Sequence, residues 1–347
     1  MKLTRDGCHR RRELLLERVQ GDLILITNPR HILYFTGFWA SELSLSGWGP
    51  KLLAVDGRGY ATLVTHNFAT AGLEECAVDR REVWTWYDPS RSPGNAIWQA
   101  GAKQARRLIQ ELLGDSRNPR VCYESGTLPL DLLPESVTPT FVDISDAVLM
   151  QRRQKQDDEV ALIQRAVELT ETGLSTAREV VRPGLTEIEL YAAMLSSMTE
   201  KAGDSVNLIS DVLSGPRCKD ASGPPTGRRI QAGDSVILDL HPYIDGYRSD
   251  FTETLVLREE LTVDEKHAET ALHRALAAGE ALLEPGTTAG SVYKAIDFVL
   301  KDAGYSEGLI HHAGHGLGLG HPEAPYFVPE SEEVLMAGDV VTLEPGI

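Results

Sequence analysis

The sequence predicts an α+β protein in two domains, a smaller α/β domain over residues 1–148 and a larger domain of helix pairs and antiparallel strands over 149–347. Three observations lead to this. A chain of 347 residues exceeds the length at which one hydrophobic core usually stops growing. Short β-rich runs alternate with helical stretches through the first part. In the rest, strands follow a pair of helices twice.

The basic cluster His9-Arg10-Arg11-Arg12 precedes Leu14-Leu15-Leu16, but Glu17 and Arg18 interrupt that run at once. It is too short for a signal-peptide core and reads as a first amphipathic helix. Residues 22–27, 51–56 and 60–65 read as strands, the last two flanking Gly57-Arg58-Gly59 in the manner of a hairpin. Residues 95–113 carry helical spacing after a capping Asn95, and Gly114-Asp115 ends them. A stretch rich in Pro, Ser and Thr over 125–150 marks the domain boundary.

Asp157 and Asp158 complement the N-terminal dipole of the next helix, with Val160, Ile163, Val167 and Leu174 as its apolar stripe. Arg182-Pro183-Gly184 stops it, and Thr186 with Glu189 forms a capping box for its successor. Over 234–257, apolar runs on both sides of Asp245-Gly246 predict a tight hairpin. A second helix pair occupies 264–303, ended by Gly304.

Composition narrows the function. Lys plus Arg total 34 against 51 Asp plus Glu, a net charge of −17, which repels phosphate backbones and anionic membranes. No window approaches the ~18 apolar residues of a membrane span. The four cysteines form no Cys-x-x-Cys pair, so neither a zinc knuckle nor a disulfide framework is indicated, and a reducing cytoplasm is expected.

Chemistry concentrates in the C-terminal half. With Asp245-Gly246 as the loop, Asp239 lies opposite Thr252 and Asp250 is two residues from that position, so both aspartates share a face. They are diagonal neighbours at roughly 7–8 Å of backbone separation, close enough to reach one centre. Taken alone they could be two solvated acids. Yet Asp239 sits within "VILDL", where an unpaired carboxylate is costly to bury.

The segment "LIHHAGHGLGLGHPEAP" (309–325) offers His315 as the natural metal ligand, with His311, His312 and His321 for supporting bonds or proton transfer. Leu317 and Leu319 alternate as in a buried strand. In "DVVTLEPGI" (339–347), Glu344 closes an apolar strand. One imidazole and three carboxylates, Asp239, Asp250, His315 and Glu344, suit Mn²⁺, Co²⁺, Zn²⁺ or Fe²⁺, and carboxylates can bridge two metals ~3.5–4 Å apart. His241 faces the same side as Asp239, either as a hydrogen-bonded neighbour or as a further ligand.

The order and spacing of these residues resemble the pita-bread metallopeptidases of M24 type, the family of methionine aminopeptidase, aminopeptidase P, prolidase and creatinase. The resemblance covers nearly the whole chain, through "NPRHILYFTGF" (28–38), "RRQKQDDEVALIQRA" (152–166), the paired aspartates, Gly-His-Gly-x-Gly-Leu and Glu-Pro-Gly. It implies a creatinase-like N-terminal domain and a pita-bread catalytic domain. It further implies Asp239 and Asp250 as ligands of one metal, with Asp250 bridging to a second held by His315 and Glu344. Glu344 resembles the general base, and His311 matches a substrate-holding histidine.

Three departures accompany the resemblance. The family's fifth ligand, a Glu in an Arg-x-Glu strand, would lie beyond Ile347, so the catalytic domain is expected to be truncated at its C-terminal end. Ser222 stands where the family has a Pro-His histidine. Pro322 takes the place of a later histidine, with His321 one residue earlier as the candidate proton shuttle.

The resemblance therefore implies a dinuclear hydrolase with two divalent ions, Mn²⁺ foremost, cleaving Xaa-Pro peptides by a metal-bound hydroxide, as an aminopeptidase P or prolidase does. A cytoplasmic homodimer acting on short peptides is expected, with no nucleic acid or membrane partner. Two alternatives are a hydrolase or lyase of a non-peptide small molecule and a metal-poor binding module on the same fold.

Overall fold

Uncharged runs of Leu, Ile, Val and Ala build the middle of a sheet in the first of two units, Met1–Arg152, the second being Arg153–Ile347. The computed structural model describes all residues except 1, 42, 43, 48, 50, 86, 87, 89, 91–95, 127–132, 134, 136, 221, 306 and 310, and excludes the side chains of 45 and 96–102. Asn95, expected as a helix cap, is outside the described residues.

In the first unit, β1 (Leu23–Ile26), β2 (Leu52–Asp56), β3 (Ala61–His66), β4 (Arg80–Trp84), β5 (Arg120–Tyr123) and β6 (Thr140–Asp143) form a sheet in the order β4-β3-β2-β1-β5-β6. β2 and β3 are the expected hairpin, Leu52 pairing with Val64, and Gly59 turns it at φ +90°. Every residue of β1, β2 and β3 is buried, as central strands covered on both faces require. Leu23, Leu25, Ala54 and Val64 pack with Leu108, Ile109 and Leu113 of α3 (Ala96–Leu113).

On α1 (Arg5–Arg18), capped by the Thr4 hydroxyl, two arginines of the basic cluster are buried. Arg11 Nε donates to the Tyr34 carbonyl at 2.7 Å and Arg12 donates to that of Phe35. Both carbonyls belong to α2 (Pro29–Thr36), near its C-terminal end, where carbonyls lack helical partners and favour cations. α4 (Ser145–Arg153) leads into the second unit.

The second unit repeats one plan twice. First come α5 (Asp157–Val180) and α6 (Glu187–Ala202), then β7 (Asn207–Ser214), β8 (Ser235–Ile244), β9 (Tyr247–Arg248) and β10 (Phe251–Val256). The sheet runs β10-β8-β7, with β9 on β8. α6 starts at the expected capping box, Glu189 N donating to the Thr186 hydroxyl at 3.2 Å. On α5 the buried stripe runs through Leu162, Ile163, Ala166, Leu169 and Leu174, while Val160 and Val167 are half-buried at its margin. Val236, Leu238 and Leu240 of β8 face this helix pair and are wholly buried. The intervening Ile237, Asp239 and His241 therefore face the other way.

Next come α7 (Val263–Glu280) and α8 (Ala289–Asp302), followed by β11 (Gly314–Gly316), β12 (Glu323–Tyr326) and β13 (Val341–Leu343) in the order β12-β11-β13. Ala271, Ala275, Val292 and Ile296 of the helices pack on Ala313, Phe327 and Leu335. The strand expected through Leu317 and Leu319 stops at Gly316. Both leucines are buried, but the ladder with β12 shifts register between His315 and Gly316, and Gly318 N bonds Gly320 O at 3.3 Å in a turn.

Among the described residues, no helix is long and apolar enough to cross a membrane.

Candidate metal centre

Two halves of the second unit bring their polar side chains to one place. Asp245 at φ +48° and Gly246 at φ +86° make the tight turn that pairs Tyr243 with Arg248 and Thr252 with Asp239, the predicted register. Positive φ at both central residues is what an Asp-Gly hairpin turn supplies. Asp239 thus lies in mid-β8, and Asp250 directly precedes β10.

His315 is the middle of β11, between glycines whose missing side chains let the neighbouring strands close in. A Cβ at Gly314 would lie 2.0 Å from Thr342 O, and one at Gly316 would lie 2.2 Å from Ala324 O. Glu344 follows β13, its N–H bonded to Ala313 O at 3.0 Å.

Asp250 is the hub. It is 4% exposed and faces three imidazoles, with His321 Nε2 at 2.8 Å, His241 Nδ1 at 3.1 Å and His315 Nε2 at 3.3 Å. Burial opposes its ionisation, but those imidazoles hold its carboxyl well below the usual range. His241 Nε2 lies 3.2 Å from Asp239 Oδ1, which also accepts the Thr252 hydroxyl at 3.0 Å. Burial disfavours a charged His241, yet the two aspartates lift it to about 10.

Glu344 Oε1 lies 3.4 Å from His315 Nε2 and 3.6 Å from His312 Nδ1. Burial and the nearby Asp250 charge push Glu344 up to about 7. His315 donates Nδ1–H to the Gly316 carbonyl at 2.9 Å, which leaves its Nε2 lone pair facing Asp250 and Glu344. Burial and the neighbouring His315 lower His312.

The donor atoms fit divalent ions. His241, Asp250 and His321 form one set, and His312, His315 and Glu344 another, each with its ligand atoms within 4.8 Å of one another. His241 Nδ1, His312 Nδ1 and Glu344 Oε1 are buried without a hydrogen-bond partner among the described residues. Orphaned lone pairs that converge in this way are costly unless a cation or proton lies between them.

Of the residues singled out in the sequence, Asp239, His241, Asp250, His312, His315, His321 and Glu344 come together. His311 is exposed and donates Nδ1–H to the His312 carbonyl at 2.6 Å, its ring 5.5 Å from that of His312. Ser222 is exposed in the connection before β8.

Sequence reasoning missed two supporting ion pairs. Lys155 Nζ lies 2.8 Å from Glu323 Oε1, behind the turn that carries His321. Buried Glu187 ties down the segment leading to β8, accepting from Ser214, Arg217 and Thr226. The only available signal for Glu187 was its place in the first turn of α6, where any acid is favoured.

A model of metallopeptidase family M24 matches residues 161–347. The chain belongs to metallopeptidase family M24. It is 30% identical over 207 residues to the putative dipeptidase YkvY of Bacillus subtilis, covering 60% of this chain and 57% of that protein. It is 31% identical over 243 residues to the Xaa-Pro dipeptidase of Pyrococcus furiosus, covering 69% of each. The chain thus spans little more than half the length of the first relative and about two thirds of the second.

Among solved structures of M24 relatives, the prolidase from Pyrococcus furiosus superposes with a TM-score of 0.76 at 24% identity, covering 97% of this chain and 91% of that one. Dipeptidase PepE from Mycobacterium ulcerans gives 0.77 at 26% identity, covering 100% and 90%. The fold is the α+β pita-bread fold of the M24 enzymes.

Proposed function

We propose that this M24 chain is a dinuclear metal-dependent hydrolase of short peptides, cleaving the bond next to proline as an aminopeptidase P or prolidase does. The observation that carries the reading is Asp250, a buried carboxylate facing three imidazoles from both halves of the unit. The names of the M24 relatives, dipeptidase and Xaa-Pro dipeptidase, support the substrate class.

In this reading Asp239 and Asp250 hold one divalent ion, and Asp250, His315 and Glu344 a second. By itself, the set of three carboxylates and one imidazole suits Mn²⁺. Such ions, when bound, lower the pKa of water and polarise a scissile carbonyl.

The chain's own groups do the rest. Glu344, beside His315 at the edge of the centre, is the carboxylate that accepts a proton from the attacking water. His321, bonded to Asp250, returns a proton to the leaving amine, and His311 contacts the substrate from its exposed position. Residues 1–148 form a creatinase-like domain, and 149–347 the catalytic domain. The protein works as a cytoplasmic homodimer.

The test is a panel of Xaa-Pro and Xaa-Ala dipeptides given to the chelator-treated chain with and without added Mn²⁺. Metal-dependent release of amino acid from Xaa-Pro substrates is expected. Equal or absent turnover across the panel removes the proline-specific reading.

A further inference from the structure

We propose that His241 is itself a metal ligand, donating through Nδ1. With His321 and Asp250 it makes a site of two imidazoles and one carboxylate that favours Zn²⁺-like cations over Mn²⁺, and His321, once a ligand, no longer carries the proton to the leaving amine. This rests on the reading of the centre as metal-binding and deepens it.

The two nitrogens of His241 have different surroundings. Nε2 lies 3.2 Å from Asp239 Oδ1, and that oxygen is held by the Thr252 hydroxyl at 3.0 Å. A ring that gives its Nε2 proton to Asp239 has its lone pair on Nδ1. Metal-bound histidines are oriented in this way, their second nitrogen bonded to a carboxylate or carbonyl. His315 follows the same rule with its nitrogens exchanged, Nδ1 on the Gly316 carbonyl and Nε2 directed at the carboxylates.

Nδ1 of His241 is buried and has no hydrogen-bond partner among the described residues, although Asp250 Oδ1 is 3.1 Å away. Two lone pairs so placed repel unless a positive centre lies between them. His321 Nε2 is on the other oxygen of Asp250, at 2.8 Å. The rings of His241 and His321 are 4.5 Å apart and inclined at 60°, so their nitrogens converge instead of stacking. All three donor atoms fit within 4.8 Å. Zinc–nitrogen and zinc–oxygen bonds are about 2.0–2.2 Å, so three donors on one ion lie within about 4.4 Å of one another, and these groups would close slightly on a bound cation.

Two imidazoles and one carboxylate are the donor set of many catalytic zinc sites, which keep a fourth position open. Imidazole favours Zn²⁺, Fe²⁺ and Ni²⁺, whereas carboxylate and water suit Mn²⁺. His312, His315 and Glu344 repeat the same composition. Each added imidazole therefore moves preference away from the metal that the carboxylates alone would select.

The test uses the full 347-residue chain, stripped by a chelator and titrated with Zn²⁺ or Mn²⁺ against a chromophoric competitor. His241→Ala and His241→Gln are compared with the parent, and Co²⁺ visible spectra are recorded for all three. Gln keeps an N–H toward Asp239 while removing the Nδ1 donor, and circular dichroism checks that both variants fold. The ratio of Zn²⁺ to Mn²⁺ affinity is expected to fall at least about tenfold in both variants, mainly through weaker Zn²⁺ binding, with altered Co²⁺ bands.

An unchanged ratio and unchanged Co²⁺ spectrum in both variants overturn the proposal while leaving the M24 hydrolase reading intact. Tighter Zn²⁺ binding without His241 overturns it too, by showing an imidazolium in the cation's place. A parent chain that takes up neither metal refutes both readings.

Discussion

Lys155 and Glu323 form a buried ion pair, Nζ to Oε1 2.8 Å, with side chains 1% and 10% exposed. The second Glu323 oxygen accepts the Gly320 N–H at 3.1 Å, so the pair fixes the turn from which His321 reaches Asp250. Removing one partner strands the other charge. Lys155→Ala is expected to lose about 3–5 kcal/mol of stability, and a Lys155→Met/Glu323→Leu double variant much less. Denaturant unfolding of the two proteins measures this. Equal losses would show that packing, rather than charge, is at stake.

Glu187 sets a pH dependence. Burial opposes its ionisation, but hydrogen bonds from Thr226 and Ser214 and the Arg217 charge prevail, so its folded pKa is lowered from 4.5. A lowered folded value means that the stability it contributes is present above the unfolded pKa and is lost as pH falls through the folded one. Glu187→Gln is therefore expected to cost about 1.5–3 kcal/mol at pH 7, the worth of bonds to a charged group. Urea titrations should show the gap between parent and variant closing as the pH is lowered below 4.5.

Gly314 has φ +143°, and a Cβ there would meet Thr342 O at 2.0 Å. Gly314→Ala combines backbone strain of about 1–3 kcal/mol with overpacking of similar size. It must push β13 from β11 and so separate Glu344 from His315. Lower thermal stability together with sub-stoichiometric metal after dialysis is the expected result. A stable variant with full metal content would show that the strands can yield.

Asp250→Asn removes the negative charge common to His241, His315 and His321. The expected loss of metal affinity exceeds the roughly 10–100-fold typical of a supporting residue. Metal content by elemental analysis and turnover of an Xaa-Pro dipeptide should fall together.

How much of this was legible in the sequence varies by residue. Asp239 and Glu344 stood out because carboxylates inside apolar runs demand an explanation, and Asp245-Gly246 dictated the register that joins Asp239 to Thr252. β4 and β6 were not legible, since they are edge strands with mostly half-exposed or exposed residues and carry little apolar signal. Lys155 and Glu187 looked like ordinary helix-flanking charges, because their partners come from distant parts of the chain. His312, next to Glu344, and His311, turned outward, are adjacent in sequence, and only the path of the backbone into β11 separates their surroundings.

The centre draws its donors from two stretches, 239–250 and 312–344, each on its own sheet. That division has a consequence for biosynthesis. A ribosome adding about 5–20 residues per second needs roughly 5–20 s to travel from Asp250 to Glu344. Throughout that interval the first aspartates and His241 are already made but have no second half to close upon. Any cation that they capture then is chosen by an unfinished set of ligands, so the metal found in the mature protein depends on whether early occupants can still exchange once the second sheet has docked.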